Sequence, residues 1–247
     1  MAEPIGLILG SGATKLGLTI ESRSPAKTPY GEPSSPVLRV KIGGRSVLAI
    51  ARHGESHNIP PHLVNYRANT WMLREQGVSQ CIALNAVGII TLGTLELGGL
   101  AVPDQLIDYT WGREHTFDDG SSGELRHVEF TEPFDAVLRG QLAAVAAESA
   151  AAHGRGVYGA TQGPRLETAA EIERMARDGC TMVGMTAMPE AALARELDLA
   201  YAICAVGVNY AAGRGPVGTD IHAQIDQHFA DGMKKARTVL ERLIPGL

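Results

Sequence analysis

The alternation of short apolar runs with longer amphipathic segments limits the fold of this chain more than any other feature. The first run, residues 5–9, ends at Gly10, and similar runs recur as far as residue 208. Short runs that are apolar throughout are typical of strands covered on both faces, as in sheets that carry helices on each side. Because neither a repeat nor a low-complexity linker interrupts the pattern, the sequence predicts one α/β domain over residues 1–247.

The apolar periodicity also places the individual elements. Two strands separated by Gly43-Gly44 predict a β-hairpin. The polar segment 111–125 predicts a long surface loop, and we expect it to close over a functional site. The predicted strands span residues 5–9, 37–42, 46–51, 81–89, 99–107, 156–160, 180–185 and 199–208. The predicted helices span residues 61–76, 135–153, 168–178, 189–197 and 223–243.

Charge and cysteine content argue against several classes of protein. A formal net charge of -5 with no long run of Lys or Arg argues against a nucleic-acid partner. The three cysteines, Cys81, Cys180 and Cys204, fit neither a disulfide framework nor a zinc site, so we expect buried thiols in a reducing cytoplasm. The N-terminus lacks the basic and apolar regions of a signal peptide, and no apolar stretch is long enough to span a membrane.

Two polar segments follow predicted strands, where open α/β sheets bind their ligands. The backbone amides of Gly10-Ser11-Gly12 and the hydroxyl of Thr14 are suited to cradle an anion, although a plain turn at a strand end gives the same pattern. Arg52 offers a planar fork of donors and, with His53, forms a candidate oxyanion clamp. The alternative is a polar loop that caps the next helix. Metal binding by His53 and His57 is disfavoured, because no further ligand follows at a suitable spacing.

Four residues at later strand ends each allow two interpretations. Glu167 is either an acid in a first helical turn or an acceptor for the edge of a base. Thr186 is either a helix N-cap or a donor to phosphate, and Met185 either fills the core or forms the floor of a sugar site. Asn209 is either a turn residue or a partner for a purine edge, since a buried amide must satisfy its donors and its acceptor.

Taken together, the order and spacing of these segments resemble the trimeric nucleoside phosphorylases, whose best-known members are purine nucleoside phosphorylase and 5′-methylthioadenosine phosphorylase. The resemblance runs from residue 5 to the last predicted helix. It implies a mixed, partly barrel-like central sheet flanked by helices, a cytoplasmic homotrimer with sites near subunit interfaces, and phosphate as co-substrate without cofactor or metal. The matching motifs are Gly10-Ser11-Gly12, Ala51-Arg52-His53-Gly54 with His57, Val64-Asn65-Tyr66-Arg67-Ala68-Asn69, Asn85-Ala86-Val87-Gly88, Gln162-Gly163-Pro164-Arg165 and Gly184-Met185-Thr186 through Pro189-Glu190.

The resemblance also implies a role for each matching residue. Met185 would lie under the ribose, and His127 would reach the 5′ site of a neighbouring subunit. Asn209 would be the catalytic residue at the base. The implied phosphate ligands are Ser11, Arg52, His53, Ala86 and Thr186. The implied base-binding residues are Leu166, Glu167 and Asn209, and the candidate residues of the 5′ pocket are His127, Val217, Ile221 and His222.

The base site departs from the methylthioadenosine branch that the rest of the chain resembles. That branch typically carries Asp where this chain has Asn209 and Ala211, and a small hydroxyl residue where it has Glu167. An Asn amide can donate to O6 and N7 of a 6-oxopurine, and a Glu carboxylate can accept from its N1–H. The resemblance therefore implies phosphorolysis of 5′-methylthioinosine to hypoxanthine and 5-methylthioribose 1-phosphate.

Other functions compete with this expectation. A general inosine and guanosine phosphorylase would use His222 for a 5′-hydroxyl, whereas Val217 or Ile221 would shape an apolar pocket for a methylthio group. An adenine-specific methylthioadenosine phosphorylase is the third alternative. A hydrolytic nucleosidase is disfavoured by the Arg52 and His53 clamp. A non-catalytic nucleotide sensor and a dinucleotide enzyme are disfavoured because the first glycine turn lacks the Rossmann spacing.

Overall fold

A computed structural model describes residues 3–11, 16–121, 123, 126–149, 152–218 and 220–247. In this part of the chain the strands are β1 (Ile5–Leu9), β2 (Ile20–Ser24), β3 (Val37–Ile42), β4 (Arg45–Ala51), β5 (Gln80–Ile89), β6 (Leu100–Ala101), β7 (Gln105–Asp108), β8 (Ala152–His153), β9 (Val157–Ala160), β10 (Met182–Gly184) and β11 (Ala200–Tyr210). The helices are α1 (Tyr66–Glu75), α2 (Ala136–Ser149), α3 (Ala169–Arg177), α4 (Ala187–Glu196) and α5 (Ile221–Leu243), with short 3-10 helices at Pro61–Leu63 and Ile244–Gly246. The predicted α/β class, a mixed sheet flanked by helices, is confirmed.

The sheet branches at β5, and this branch positions the functional site. The main path runs β2-β3-β4-β1-β5-β10-β9-β7, and a second path leaves β5 through β11, β6 and β8. On one edge of β5, the parallel register of β1 ends at Leu84 and the antiparallel register of β10 begins at Gly88. The other edge of β5 pairs with β11 along its whole length. Residues 85–87 therefore lie between the ends of β1 and β10, where polar side chains can enter the sheet.

Local signals explain where the predicted elements begin and end. Gly43 and Gly44 have φ values of +56° and +84° and join antiparallel β3 and β4, which confirms the hairpin. Helix α1 begins later than predicted because Asn65 caps it, accepting from the Ala68 amide. The predicted strand 99–107 is wrong at its centre, where Pro103, which has no amide hydrogen, separates β6 from β7.

Helix α5 closes one side of the branch against β11. A Cβ on Gly232 would clash with the Val206 side chain, so only glycine allows this approach of helix to strand. The buried face of α5 carries Phe229, Met233, Ala236, Val239, Leu240 and Leu243.

Among the described residues, no helix combines the length and the apolar character needed to cross a bilayer. The three cysteines are buried and free, as predicted.

Candidate active site

A cleft of about 890 Å³ opens at the branch of the sheet, between the end of β1 and the first turns of α5. It brings together residues that lie far apart in the sequence. Most of the predicted site residues line it, namely Ser11, Arg52, His53, Ala86, Leu166, Glu167, Met185, Thr186, Asn209 and Ile221.

Three predicted residues of the 5′ pocket do not line the cleft of this chain. His127 and His222 are exposed, and Val217 is fully exposed in the turn before α5. Helix α5 begins at Ile221, capped by Asp220, so Ile221 faces the cleft while His222 does not line it. Gly12 and Thr14 of the glycine turn lie outside the described residues.

Arg52, at the end of β4, is held by a buried carboxylate. Its Nε and Nη2 donate to the two oxygens of Glu190 at 2.7 and 2.8 Å, and both side chains are almost wholly buried. The Tyr201 hydroxyl donates to the same carboxylate at 2.6 Å. Burial alone would lower the pKa of Arg52, but the charge and hydrogen bond of Glu190 raise it above its ordinary value. Arg52 is therefore a permanently charged and rigidly oriented donor.

The remaining donors of Arg52 face the middle of β5, where the pairing of β5 with β1 ends. Nη1 donates to the Leu84 carbonyl and Nη2 to Asn85 Oδ1, each at 3.2 Å. Among the described residues, the second N–H of Nη1 has no protein acceptor. A Cβ on Gly10 would lie 2.9 Å from Nη1 and 2.5 Å from the Leu84 carbonyl oxygen, so glycine is required for this approach. The free donor thus lies beside the turn that the sequence predicts as an anion site.

Thr186 is oriented by the same network. Asn85 Nδ2 donates to Thr186 Oγ1 at 2.9 Å, so this oxygen acts as an acceptor, and the same hydroxyl also lies within hydrogen-bonding reach of Tyr158. Thr186 stands at the N-cap of α4 without a side-chain capping bond. Thr186 thus occupies the N-cap position of α4 while it also lines the cleft, and a role as donor to phosphate stays a prediction.

His53 is neutral at physiological pH. Its Nδ1 lies 2.8 Å from the Ile59 carbonyl, which can only accept, so Nδ1 carries the hydrogen and Nε2 is an acceptor. Burial, followed by the neighbouring Arg52 charge, lowers the pKa of His53 to about 4. The clamp therefore combines a cation with a neutral hydrogen-bond acceptor.

Asn209 and Glu167 are two further polar residues that line the cleft. The pairing of β11 with β5 shifts register between Gly207 and Asn209, a bulge that changes the direction of the strand's side chains. Asn209 is largely buried, and its Nδ2 donates to the Tyr210 carbonyl at 2.8 Å. Glu167 accepts from the Thr161 hydroxyl at 2.6 Å. Met185 lies under the turn at Gly163, where a Cβ would be 2.5 Å from its sulfur.

The wall beyond Asn209 is mostly apolar. It consists of Val208, Ala211 and Ala212 at the end of β11 and of side chains from the first turns of α5, with Asp226 as an exposed acid among them. The α5 residues that line this wall are Ile221, Ile225, Asp226 and Phe229.

Several residues of the site had no predicted role. Glu190 lies 138 positions from Arg52, so no local pattern could pair them. Arg113, in the predicted surface loop, is buried and donates to the carbonyls of Met185 at 2.8 Å and Gln162 at 2.8 Å. It fixes the start of the loop to the floor of the cleft. A clue in the sequence was that Arg113 is the single arginine of residues 111–125, a segment rich in glycine, serine and acidic residues.

Comparison with known proteins gives a consistent result over almost the whole chain. The phosphorylase superfamily matches residues 4–245. A probable S-methyl-5′-thioinosine phosphorylase of Pseudomonas syringae pv. tomato is 50% identical over 242 residues, which cover 96% of this chain and 97% of that protein. A probable 6-oxopurine nucleoside phosphorylase of Thermococcus kodakarensis is 40% identical, over 97% of this chain and 91% of that protein. The structure of a methylthioadenosine phosphorylase from Schistosoma mansoni in complex with adenine superposes with a TM-score of 0.90 at 28% identity, covering 99% of this chain and 91% of that one.

Proposed function

The chain belongs to the phosphorylase superfamily and is a nucleoside phosphorylase, and on that basis we propose that it cleaves S-methyl-5′-thioinosine with phosphate. The products are hypoxanthine and 5-methylthioribose 1-phosphate. One observation carries the proposal: a single cleft is lined by an amide and a carboxylate, Asn209 and Glu167, together with the cationic Arg52 and apolar side chains of α5.

Phosphate binds beside Arg52. Arg52, the hydroxyls of Ser11 and Thr186 and the backbone at Ala86 donate to its oxygens, while neutral His53 accepts from a protonated phosphate oxygen. A phosphate oxygen then bonds to C1′ of the ribose as the C1′–N9 bond breaks; the bonding electrons pass to the purine, which takes up one proton from water to leave as hypoxanthine. The site works by positioning and electrostatic stabilisation and needs no protein nucleophile.

Asn209 and Glu167 select the base. The Asn209 amide donates to O6 or N7, where negative charge develops as N9 leaves, and Glu167 accepts from N1–H. Adenine has neither an N1 hydrogen nor an oxygen at position 6, so it leaves these groups unpaired at a cost of about 1–3 kcal/mol each.

The apolar wall selects the 5′ substituent. Ile221 and Ile225 present aliphatic surface to the cleft, which suits a methylthio group better than a hydroxyl. Asp226 favours the second candidate, a general 6-oxopurine nucleoside phosphorylase, because its carboxylate could accept from a 5′-hydroxyl. We further propose a cytoplasmic homotrimer without cofactor or metal, in which the exposed His127 reaches the site of a neighbouring subunit.

Initial rates of base release test this function directly. Purified protein is given S-methyl-5′-thioinosine, S-methyl-5′-thioadenosine, inosine or guanosine, each with and without phosphate. Phosphate-dependent release that is fastest with S-methyl-5′-thioinosine supports the proposal. Equal use of inosine would reject the apolar 5′ pocket, preference for S-methyl-5′-thioadenosine would reject the base assignment, and release without phosphate would reject phosphorolysis.

A further inference from the structure

Thr161 lies immediately after β9 and contacts the carboxylate that meets the base. We propose that Thr161 is a specificity-determining residue that positions Glu167 as an acceptor for the N1–H of a 6-oxopurine. This inference rests on the proposed function, which assigns Glu167 to the base. Thr161 itself has no assigned role in phosphorolysis.

The backbone of Thr161 is fixed on both sides. Its amide donates to the Gly184 carbonyl at 2.8 Å, at the end of β10, and its carbonyl accepts from Arg113 Nη2 at 3.2 Å. The side chain is largely buried, so its hydroxyl has few alternative positions. A rigid support of this kind can hold a more exposed side chain in one orientation.

The hydroxyl has a single hydrogen to donate and two acceptors within reach. Glu167 Oε1 lies at 2.6 Å and the Gly184 carbonyl oxygen at 3.3 Å, so the shorter contact assigns the hydrogen to the carboxylate. In the described part of the chain, this is the hydrogen bond that holds Glu167. With Oε1 engaged, Oε2 is left to accept from the ligand.

The consequence is a difference between bases. The N1 of a 6-oxopurine carries a hydrogen and can donate to Oε2, whereas N1 of adenine has a lone pair that a fixed carboxylate repels. Loss of the Thr161 hydroxyl lets Glu167 rotate away. The variant should therefore turn over 6-oxopurine nucleosides more slowly and discriminate less against 6-aminopurine nucleosides.

The test compares Thr161→Val, which keeps the shape and removes the hydroxyl, with Thr161→Ser, which keeps the hydroxyl. The measured quantity is the ratio of kcat/KM for S-methyl-5′-thioinosine to kcat/KM for S-methyl-5′-thioadenosine. We expect Thr161→Val to lower this ratio about tenfold, as for the loss of one hydrogen bond to a charged group, with the KM for phosphate unchanged. Thr161→Ser should keep the ratio within about threefold of the wild type. If Thr161→Val fails to fold, Thr161→Ala replaces it with the same expectation.

Two further variants distinguish a positioning role of Thr161 from a general disturbance of the structure. Thr181→Val removes a hydroxyl that accepts from the Val157 amide on the same sheet outside the cleft, and it should leave the ratio unchanged. In a Glu167→Gln background, Thr161→Val should have no further effect on the ratio, because its effect passes through that carboxylate.

The possible failures are distinguishable. A wild-type ratio retained in Thr161→Val, or a Thr161→Ser variant as impaired as Thr161→Val, would overturn the role of Thr161 while leaving the proposed function intact. A wild-type enzyme that releases no base from S-methyl-5′-thioinosine in the presence of phosphate would instead overturn the proposed function.

Discussion

Replacing Glu190 by glutamine tests whether the Arg52 clamp is held by a buried charge. The carboxylate accepts from Arg52 Nε, Arg52 Nη2 and the Tyr201 hydroxyl, at 2.6 to 2.8 Å. A glutamine has only one carbonyl oxygen to accept from these three donors. Its NH₂ group would replace the other oxygen and would face a donor of Arg52 or Tyr201. The Arg52 charge then remains buried without a counter-charge. Breaking a buried pair in this way costs about 3–5 kcal/mol.

Urea unfolding at a fixed protein concentration measures this loss in the free energy of unfolding. A loss of this size corresponds to a decrease in Tm of roughly 6–20 °C for a chain of this length. Glu241→Gln is the matched control, because Glu241 accepts from Arg237 at 2.8 Å but both side chains are about 40% exposed. Exposed pairs contribute only about 0.2–1 kcal/mol.

A double-mutant cycle identifies the cause. Arg52→Met removes the cation, so combining it with Glu190→Gln should destabilise the protein by less than the sum of the single changes. The reasoning is refuted if Glu190→Gln destabilises no more than Glu241→Gln, since the buried carboxylate would then contribute nothing that a surface pair does not.

Three further changes test the chemistry of the cleft. Asn209→Asp should lower kcat/KM for S-methyl-5′-thioinosine at least about tenfold by removing the amide donor, and unchanged steady-state kinetics would exclude Asn209 from the base site. Because the pKa of His53 is about 4 in the folded protein and near 6.5 unfolded, stability should fall as the pH decreases from about 6.5 to 4. His53→Gln should flatten this fall in urea midpoints, and an identical pH dependence would contradict the assignment. Ile225→Thr should reduce the preference for S-methyl-5′-thioinosine over inosine about tenfold in kcat/KM, and an unaltered preference would show that the 5′ substituent does not contact α5.

Elements with a local cause could be predicted from the sequence. Buried strands such as β1 follow from continuous apolar runs, and the β3–β4 hairpin follows from two glycines that accept positive φ. Helix α3 has its start encoded in a capping box between Thr168 and Glu171, and it lies within one residue of the prediction at each end. The exposed edge strand β2 has no apolar pattern and could not be predicted in this way.

The sequence indicated many of the residues that line the candidate site, but not the hydrogen bonds between them. Arg52, Glu167 and Asn209 come after predicted strands, where a sequence pattern and a family resemblance indicate ligand contact, and all three line the cleft. Val217 and His222 do not line the cleft, since the turn before α5 and the start of the helix set their orientation, and their role at the 5′ site stays a prediction.

The sequence by itself determined the fold class, the family and the types of side chain available for phosphate and a 6-oxopurine. Only the tertiary structure decided that Glu190 orients Arg52 and that Thr161 orients Glu167. The first pair joins residues 138 positions apart across the branch of the sheet. The contact between Thr161 and Glu167 depends on which acceptor the Thr161 hydroxyl approaches, the Glu167 carboxylate or the Gly184 carbonyl. Both are set by the register of strands and by burial, quantities that arise when separate segments pack together and that no single segment encodes.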